Sequence, residues 1–202
     1  MRFLIVGAGG FSREVADLIS DLGHEVAAFF DEEPRAAVHS PTGLPIVDDP
    51  ARVDRDAVAI AIGDAAVRKR LFERFAGEPL PVLVHPSASV SPSAEVGENT
   101  LIMHNAVVSA QAQLGIGVIV NVGCYVAHDC RVGSFTHLAG GVNLGGGAAV
   151  GEGCLCGTGS IVLPGIEVGD GAVLGAGAVV LHDVAGGAKV VGVPARALEL
   201  SE

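Results

Sequence analysis

Residues 126–144 read VAHDCRVGSFTHLAGGVNL, and in this stretch a branched aliphatic residue stands at every sixth position. The same register extends in both directions, from Val84 to Val180, without an insertion. Its members are Val84, Val90, Val96, Ile102, Val108, Leu114, Val120, Val126, Val132, Leu138, Leu144, Val150, Cys156, Val162, Val168, Leu174 and Val180. All except Cys156 are Val, Leu or Ile, which chance does not produce. A fixed period of this kind indicates a repeat architecture.

A second set of positions, four residues after the first, carries small or compact side chains with the exception of Ile166. Its members are Ala88, Ala94, Thr100, Ala106, Ala112, Val118, Cys124, Cys130, Thr136, Val142, Ala148, Cys154, Ser160, Ile166, Ala172, Ala178 and Val184. We interpret each hexapeptide as a short strand followed by a turn. The branched residue points inward, and the small residue lets the chain pass close to the axis. Stacked coils then pair at a strand spacing of roughly 4.8 Å around an aliphatic column.

Glycine often follows the branched residue directly. These glycines are Gly97, Gly115, Gly133, Gly145, Gly151, Gly169 and Gly175. We expect them to supply a conformationally tolerant backbone at the turn.

The composition agrees with a thin, repetitive architecture, because the 202 residues include 29 glycines but only 4% aromatic side chains. The formal net charge of −11 argues against nucleic acid or an anionic membrane as a partner. No apolar run fits a signal peptide or a membrane-inserted segment. We therefore expect a cytoplasmic protein whose four cysteines are reduced and packed in the core.

The first part of the chain follows a different pattern, in which apolar strands alternate with amphipathic helices. Strands are predicted at 3–6, 26–30 and 57–62, with one helix ending at Gly23 and another capped by Asp64. The stretch from residue 35 to residue 56 is rich in Pro and Asp, and we expect it to be irregular. Alternating strands and helices imply a small parallel sheet. The predicted domains are therefore 1–80, 84–184 and a C-terminal tail at 185–202.

Three strand ends in the first domain carry residues suited to a nucleotide. Gly7, Gly9 and Gly10 lie between a strand and a helix, where backbone N–H groups and the helix dipole favour a phosphate. Asp31 ends the next strand, where an acidic residue commonly contacts a ribose. Gly63 and Asp64 end the third strand, so all six residues should converge on one crevice. The glycine pattern is not a full dinucleotide fingerprint, and a redox dinucleotide or a glycine turn used only for packing are the alternatives.

The whole pattern resembles the hexapeptide-repeat acyltransferases. The glycine-rich βαβ unit, Val84-His85-Pro86-Ser87, His128-Asp129-Cys130 and the tail 191–196 are similar to the sialic acid O-acetyltransferase family, which includes nucleotide-amino-sugar N-acetyltransferases. The resemblance implies an α/β plus β fold, with a small Rossmann-like domain followed by a left-handed parallel β-helix of three hexapeptides per coil. It further implies acetyl-CoA as co-substrate with no permanently bound cofactor. It also implies a nucleotide sugar in the crevice and a homotrimer with active sites between subunits.

His128 and Asp129 are the candidate catalytic pair. His128 is the third residue of its hexapeptide, on the turn, and a neighbouring carboxylate orients an imidazole and stabilises its cation. The resemblance implies that this His–acid pair is the catalytic base, although many relatives have Glu where this chain has Asp129. The alternative is an exposed histidine on a turn.

Other candidates follow from the resemblance. Gly146, one predicted coil after His128, is a candidate oxyanion donor or a close-packing glycine, and it serves either the same site as His128 or a different one. His137 corresponds to a position beside the acyl group, or else is a corner residue between coils. The CoA-lining candidates are Ala176, Gly177, Val191, Pro194 and Arg196, with Arg196 meeting the CoA phosphates unless it is only a solvated surface residue.

The interpretation we favour is N-acetylation of an amino group on a nucleotide-linked sugar, with His128 as general base. O-acetylation of a sialic-acid-like sugar and a non-catalytic nucleotide-sugar-binding scaffold remain alternatives. A zinc hydratase using His104, His128 and His137 is disfavoured, since such sites need a close pair of histidines and the nearest spacing is nine residues. We therefore expect no metal.

Overall fold

The N-terminal part of the chain is a parallel sheet flanked by two helices. The structure is a computed structural model that describes residues 1–34, 36, 38–39 and 41–198. The strands are β1 (Arg2–Val6), β2 (Glu25–Phe30), β3 (Ile46–Val47) and β4 (Ala57–Ile60), in the spatial order β3-β2-β1-β4. The helices are α1 (Gly10–Asp21) and α2 (Ala65–Arg74), and a 3₁₀ turn spans Pro50–Arg52. The carboxyl ends of β1, β2 and β4 therefore meet at one edge of the sheet.

The end of α1 and the start of α2 lie where the sequence predicts. Helix α1 buries Val15, Leu18 and Ile19 at helical spacing, and Gly23 follows its end with a φ of 72°. Helix α2 is capped by Asp64, whose Oδ1 accepts from the backbone N–H of Val67 at 2.9 Å. In the described part of the chain, neither helix has the length and apolar character that crossing a membrane requires.

The expectation of an irregular stretch at 35–56 is wrong at β3. This strand extends the sheet as a parallel edge strand, pairing Ile46 with Phe29 and Val47 with Phe30. A two-residue strand is too short to show a hydrophobic period, so only its partner strand could reveal it.

The second part of the chain is a left-handed parallel β-helix of short strands. They are β5 (Leu83–Val84), β6 (Ser89–Val90), β7 (Glu95–Val96), β8 (Leu101–Ile102), β9 (Val107–Val108), β10 (Gln113–Leu114), β11 (Ile119–Val120), β12 (Tyr125–Val126), β13 (Arg131–Val132), β14 (His137–Leu138), β15 (Asn143–Leu144), β16 (Ala149–Val150), β17 (Leu155–Cys156), β18 (Ile161–Val162), β19 (Glu167–Val168), β20 (Val173–Leu174), β21 (Val179–Val180), β22 (Lys189–Val191) and β23 (Arg196–Ala197). The predicted fold class is confirmed.

Three sheets form the three faces of the β-helix. Face 1 contains β5, β8, β11, β14, β17, β20, β22 and β23, face 2 contains β6, β9, β12, β15, β18 and β21, and face 3 contains β7, β10, β13, β16 and β19. Paired residues are three hexapeptides apart in sequence, as in Tyr125 with Asn143 and Gln113 with Arg131. The chain passes from face 1 to face 2 to face 3 in every coil, so each corner recurs once per coil.

The branched position points into the column, as predicted, and the small position is buried there as well. Val126, Leu138 and Cys156 at the branched position are fully buried, and so are Ala148 and Cys154 at the small position. The four cysteines are buried and free. Burial raises the pKa of the Cys124 thiol to about 11, so this thiol stays protonated and acts as a small core side chain.

Left-handed backbone conformation occurs at a different position from the one expected. From residue 99 to residue 177, every sixth residue has a positive φ, and each lies three residues after the inward branched residue. Most are glycine, and the remainder are Asn99, Asn105, Gln111, Asp129 and Phe135. This position, and not the residue directly after the branched one, is where the turn requires the left-handed region.

The glycines directly after the branched residue therefore have another role. None of them has a positive φ. A Cβ on Gly97 would lie 2.6 Å from the carbonyl carbon of Gly115 in the next coil. Gly157 follows Cys156 at the same place in its repeat, and a Cβ there would lie 2.6 Å from the backbone nitrogen of Ala176. These glycines permit close contact between coils, which a single hexapeptide sequence does not reveal.

The N-terminal domain packs against face 1 of the β-helix. Phe3, Ile5 and Leu18 form one buried cluster with face-1 residues such as Leu101 and Ile119. Face 1 is thus covered by the sheet domain around β8 and β11, and the edge at which β1, β2 and β4 end lies beside β14.

We predict that Gly157→Ala lowers the free energy of unfolding by about 2 kcal/mol, because the added Cβ overlaps the backbone of the next coil. Urea denaturation measures the effect. Gly140→Ala is the matched control, since a Cβ there has its nearest neighbour, the carbonyl oxygen of Val122, at 3.6 Å. Equal stability of the two variants would contradict the role assigned to Gly157.

Candidate functional site

His128 and Asp129 form an exposed pair on the corner between faces 2 and 3. Their side chains are 67% and 63% exposed, and His128 Nδ1 lies 2.7 Å from Asp129 Oδ2. An ionised carboxylate only accepts hydrogen bonds, so Nδ1 carries the proton and Nε2 presents its lone pair. Asp129 has a φ of 61°, in the left-handed region that Asp tolerates better than most residues. The pair has the arrangement of an oriented base.

Gly146 lies directly against the His128 ring in the next coil. A Cβ at Gly146 would lie 2.7 Å from His128 Nε2, so any larger residue here would displace this imidazole. Among the described residues, the backbone N–H of Gly146 has no hydrogen-bond acceptor. The structure therefore brings His128, Asp129 and Gly146 together in one subunit, with a free N–H beside the lone pair of Nε2.

His137 lies on face 1, opposite the corner that carries His128. Its ring contacts Gly63, where a Cβ would be 3.7 Å from Nδ1, and the Phe11 ring, with a centroid separation of 6.2 Å. Within the described part of the chain its Nε2 is buried without a hydrogen-bond partner. Burial, and then the charge of Arg68, lower the pKa of His137 to about 4. His137 is thus a neutral imidazole at the junction of the two domains, and a single subunit does not bring it to His128.

A cavity of about 600 Å³ opens at the carboxyl ends of β1 and β2. It is lined by Ala8, Gly9, Arg13, Asp31, Glu33 and His39, among others. Gly9 is the N-cap residue of α1, and no side chain accepts a hydrogen bond from the first N–H groups of the helix there. A Cβ on Gly10 would meet open space. The first N–H groups of α1 therefore remain available to an anion.

The other predicted nucleotide residues have structural contacts of their own. Gly7, with a φ of 108°, donates its N–H to the carbonyl oxygen of Phe30 at 2.8 Å, and a Cβ there would lie 2.6 Å from Ile62 Cδ1. Gly63 contacts His137 instead of this cavity, and Asp64 caps α2. The strand ends are neighbours, but only Gly9 and Asp31 among the six residues line the cavity.

Sequence reasoning missed His39 and Arg13 in the cavity. His39 stacks on Phe29 with a centroid separation of 3.9 Å and contacts Thr42 Oγ1 at 3.1 Å through Nδ1. Burial, and then the charge of Arg13, lower the pKa of His39. No sequence signal marked His39, because it lies in the stretch without periodicity.

The predicted CoA-lining residues meet at the C-terminal end of the β-helix. Ala176 and Gly177 lie on the turn between β20 and β21, and Val191 packs over Gly175, where a Cβ would lie 2.6 Å from Val191 Cγ1. Pro194 and the exposed Arg196 follow in the tail, which returns to the last coil through a bond from Ala195 N–H to the carbonyl oxygen of Val179 at 2.8 Å. The structure brings this group together on the corner between faces 1 and 2, away from the corner of His128.

The spacing of histidines in the sequence also did not reveal a close pair, His85 and His104. They belong to successive coils, which stack their rings at a centroid separation of 3.7 Å, and both face Asp21 Oδ2. In the described part of the chain, this is the only group of ligand atoms close enough to share an ion.

The hydrogen bonds of this group do not suit a metal. The Ser87 N–H donates to His85 Nδ1 at 3.0 Å, so the ring proton is on Nε2 and is donated to Asp21 at 3.0 Å. A metal-bound imidazole normally donates from its second nitrogen, which His85 does not do. His104, His128 and His137, the three histidines of the hydratase alternative, lie on separate corners and faces.

Comparison with known proteins supports the same architecture. Residues 2–75 match the family described as the PglD N-terminal domain. A search of curated protein sequences found no significant match. Solved structures match over nearly the whole chain.

Three solved structures are similar to this chain in both sequence and fold. One is the acetyltransferase domain of PglB from Neisseria gonorrhoeae, which is 35% identical with a TM-score of 0.90, covering 98% of this chain and 99% of that chain. Another is PerB from Caulobacter crescentus in complex with CoA and GDP-perosamine, which is 34% identical with a TM-score of 0.91, covering 98% of each chain. WeeI from Acinetobacter baumannii is 28% identical with a TM-score of 0.86, covering 98% of this chain and 100% of that chain.

We predict that His137→Gln makes the free energy of unfolding less dependent on pH below neutrality. As the pH falls from 6.5 to 4, the unfolded chain protonates His137 and the folded chain does not, so the free energy of unfolding of the wild type falls. Between pH 7.5 and pH 5 this one residue should account for about 1 to 2 kcal/mol, which the variant does not lose. Urea denaturation at both pH values measures it, and parallel profiles would refute the buried neutral state.

Proposed function

The chain belongs to the hexapeptide-repeat sugar acetyltransferases, and from this membership we propose that it transfers the acetyl group of acetyl-CoA to an amino group on a nucleotide-linked sugar. The observation that carries the proposal is the oriented pair of His128 and Asp129 beside the free N–H of Gly146, in a chain that matches PerB over nearly its whole length. PerB was crystallised with CoA and GDP-perosamine, and the acetyltransferase domain of PglB with acetyl coenzyme A.

The reaction assigns His128 the role of general base. The lone pair of the sugar amine attacks the carbonyl carbon of the thioester, and His128 Nε2 accepts the proton that the nitrogen loses. The bond between the carbonyl carbon and sulfur then breaks, and CoA leaves as a thiolate that can take a proton from the imidazolium. Asp129, at 2.7 Å from Nδ1, stabilises the transient positive charge on the ring. No further co-reactant is required, since the amide and CoA account for all atoms.

Gly146 supplies the candidate oxyanion donor. Negative charge develops on the thioester oxygen when the amine attacks, and an N–H already directed at that position lowers the barrier without reorganisation. The N–H of Gly146 is unpaired among the described residues and adjoins the base. This contact supports one site served by His128 and Gly146 of the same subunit.

The nucleotide of the acceptor is proposed to occupy the cavity at the ends of β1 and β2. The uncapped N–H groups at the start of α1 suit a diphosphate, and the Asp31 carboxylate suits a ribose hydroxyl. Gly7, Gly63 and Asp64 contribute by shaping the strand ends around this cavity and not by direct contact. Residues 1–80 would then hold the acceptor, 84–184 the chemistry, and 185–202 the donor tail, of which residues 199–202 lie outside the described residues.

The CoA chain is proposed to lie along the corner formed by Ala176, Gly177 and the tail. Exposed backbone at this corner suits the extended pantetheine arm, and the exposed Arg196 suits a CoA phosphate. We also propose that the enzyme acts in the cytoplasm.

We further propose a homotrimer whose active sites lie between subunits. His128 and His137 lie on opposite sides of the β-helix, so they meet only if two subunits associate. Face 2 and its corner with face 3 expose the apolar side chains of Tyr125, Ile161, Leu163 and Leu181, each 37 to 40% exposed. A band of this kind beside His128 suits a second copy of the chain.

A panel assay distinguishes the remaining alternatives. Release of CoA from acetyl-CoA is measured with UDP-, GDP- and dTDP-linked 3-amino and 4-amino sugars, and with sialic-acid-like hydroxyl acceptors. We expect turnover only with an amino sugar. Turnover with the hydroxyl acceptor would favour O-acetylation, while binding of nucleotide sugars without any release of thiol would favour a non-catalytic scaffold.

We predict that His128→Ala lowers kcat by about two to four decades, because among the described residues His128 is the base beside Gly146. Thiol release at saturating substrates measures kcat, and an unchanged melting temperature serves as the control for folding, since the side chain is exposed. Turnover close to that of the wild type would remove His128 from the mechanism.

We predict that mixing His128→Ala with His137→Ala subunits restores activity. Each variant alone lacks one half of every site, whereas in random mixed trimers about a quarter of the interfaces carry both intact halves. Co-expression with two different tags, followed by thiol release, measures the recovery. If His137→Ala alone is fully active, or if mixed trimers remain inactive, the sites do not lie between subunits as proposed.

A further inference from the structure

Arg68 is a fully buried cation at the junction of the two domains. It lies on α2, and its relative exposure is 0%. Its Nη1 donates to the carbonyl oxygens of Ile62 at 2.6 Å and Gly63 at 2.8 Å, both at the end of β4. Its Nε donates to the carbonyl oxygen of Gly117 at 2.8 Å, and Nη2 donates to that of Phe135, both on turns of the β-helix.

The partners of this guanidinium are unusual for a buried charge. All four acceptors are backbone carbonyls, and no carboxylate among the described residues forms an ion pair with Arg68. Burial lowers the pKa of Arg68 to about 10, and the nearby Asp64 charge opposes this effect, so the side chain remains cationic at neutral pH. A buried charge is costly unless its hydrogen bonds are complete. An apolar side chain in the same space would leave these four carbonyls without their donor, so the guanidinium is the group that joins the two domains here.

The carbonyls held by Arg68 belong to the segments on either side of His137. Gly63 contacts the His137 ring, and Phe135 precedes His137 by two residues. The planar guanidinium of Arg68 therefore sets the distance between the end of β4 and strand β14. The imidazole of His137 lies in the gap between these two segments, with its Nε2 unpaired and buried among the described residues.

We propose that Arg68 is a positioning residue for the acceptor sugar: it holds the end of β4 against the β-helix so that the nucleotide cavity and His137 form one rigid acceptor pocket. The proposal rests on the proposed function, because it assumes that a nucleotide sugar spans from the cavity to His137. The charge of Arg68 has a second consequence, since a fixed cation beside His137 favours the neutral form of that imidazole.

Two variants separate the geometry of Arg68 from its charge. Arg68→Lys keeps the positive charge but has no planar fork to reach both domains, whereas Arg68→Met removes the charge and keeps much of the volume. Lys69→Met is the matched control on the next residue. It removes an exposed contact between α2 and the β-helix, where Lys69 Nζ lies 2.7 Å from Glu152 Oε1. Such exposed pairs contribute little to stability.

The readouts are the KM for each substrate in the thiol-release assay and the titration of His137 by NMR. We expect both Arg68 variants to raise the KM for the nucleotide sugar about tenfold or more while the KM for acetyl-CoA changes by less than about threefold. Arg68→Met should move the His137 titration upward by about one pH unit, and Arg68→Lys should leave it near the wild-type value. Lys69→Met should behave as the wild type in both measurements.

Equal increases in the KM of both substrates, or unchanged values in folded variants, would overturn the proposal. If Arg68→Met does not fold, Arg68→Lys alone decides it through the KM difference. If the wild type releases no CoA with any nucleotide-linked amino sugar, the proposed function fails, whereas the NMR titration still reports whether Arg68 controls His137. An unchanged His137 titration in folded Arg68→Met would then overturn the coupling independently.

Discussion

Backbone pairing between successive coils is the constraint on which the rest of the structure depends. Because every coil pairs with the next through its full set of short strands, a residue has one neighbour directly above it and one directly below, at roughly 4.8 Å. The register that buries the aliphatic ladder therefore also stacks the turns. It stacks Gly146 on His128 and His104 on His85, although neither pair is close in sequence. Placement of the candidate base is thus a by-product of core packing.

The same constraint explains how much the sequence alone could reveal. The inward positions repeat, so periodicity predicted them, the stacking of coils and the exposed turn position of His128, whereas the family resemblance implied the left-handed β-helix. The close-contact role of Gly157 depends on the backbone of the next coil, and the strand Ile46–Val47 is visible only through its partner β2. The contacts of Arg68 join α2 to segments 49 and 67 residues away. No local pattern encodes contacts of this kind, so the junction between the domains was not predictable, and neither was the part of the candidate site that it builds.

The two candidate histidines lie in opposite electrostatic environments. His128 is two-thirds exposed and paired with a carboxylate, an arrangement that stabilises a proton gained during the reaction. His137 is half-buried beside a guanidinium, an arrangement that opposes protonation and lowers its pKa to about 4. The first suits a group that cycles through the cationic form, and the second suits a group that offers a neutral hydrogen bond to a bound molecule. Two imidazoles in one chain can therefore divide the tasks of base and recognition without competing for the same proton.

The conformation of the turn suits the side chain of Asp129 beside the base. Residue 129 occupies the left-handed position that recurs every six residues, and there glycine, Asn and Asp carry the least strain. The short side chain of Asp129 reaches Nδ1 of the adjacent imidazole at 2.7 Å without leaving that conformation. Because the same bond fixes the proton on Nδ1, Nε2 is directed over Gly146 with its lone pair free. The turn conformation thus places the Asp129 carboxylate next to the imidazole, and this carboxylate fixes the direction of the base. A longer carboxylate at this position would need a different path to the same nitrogen.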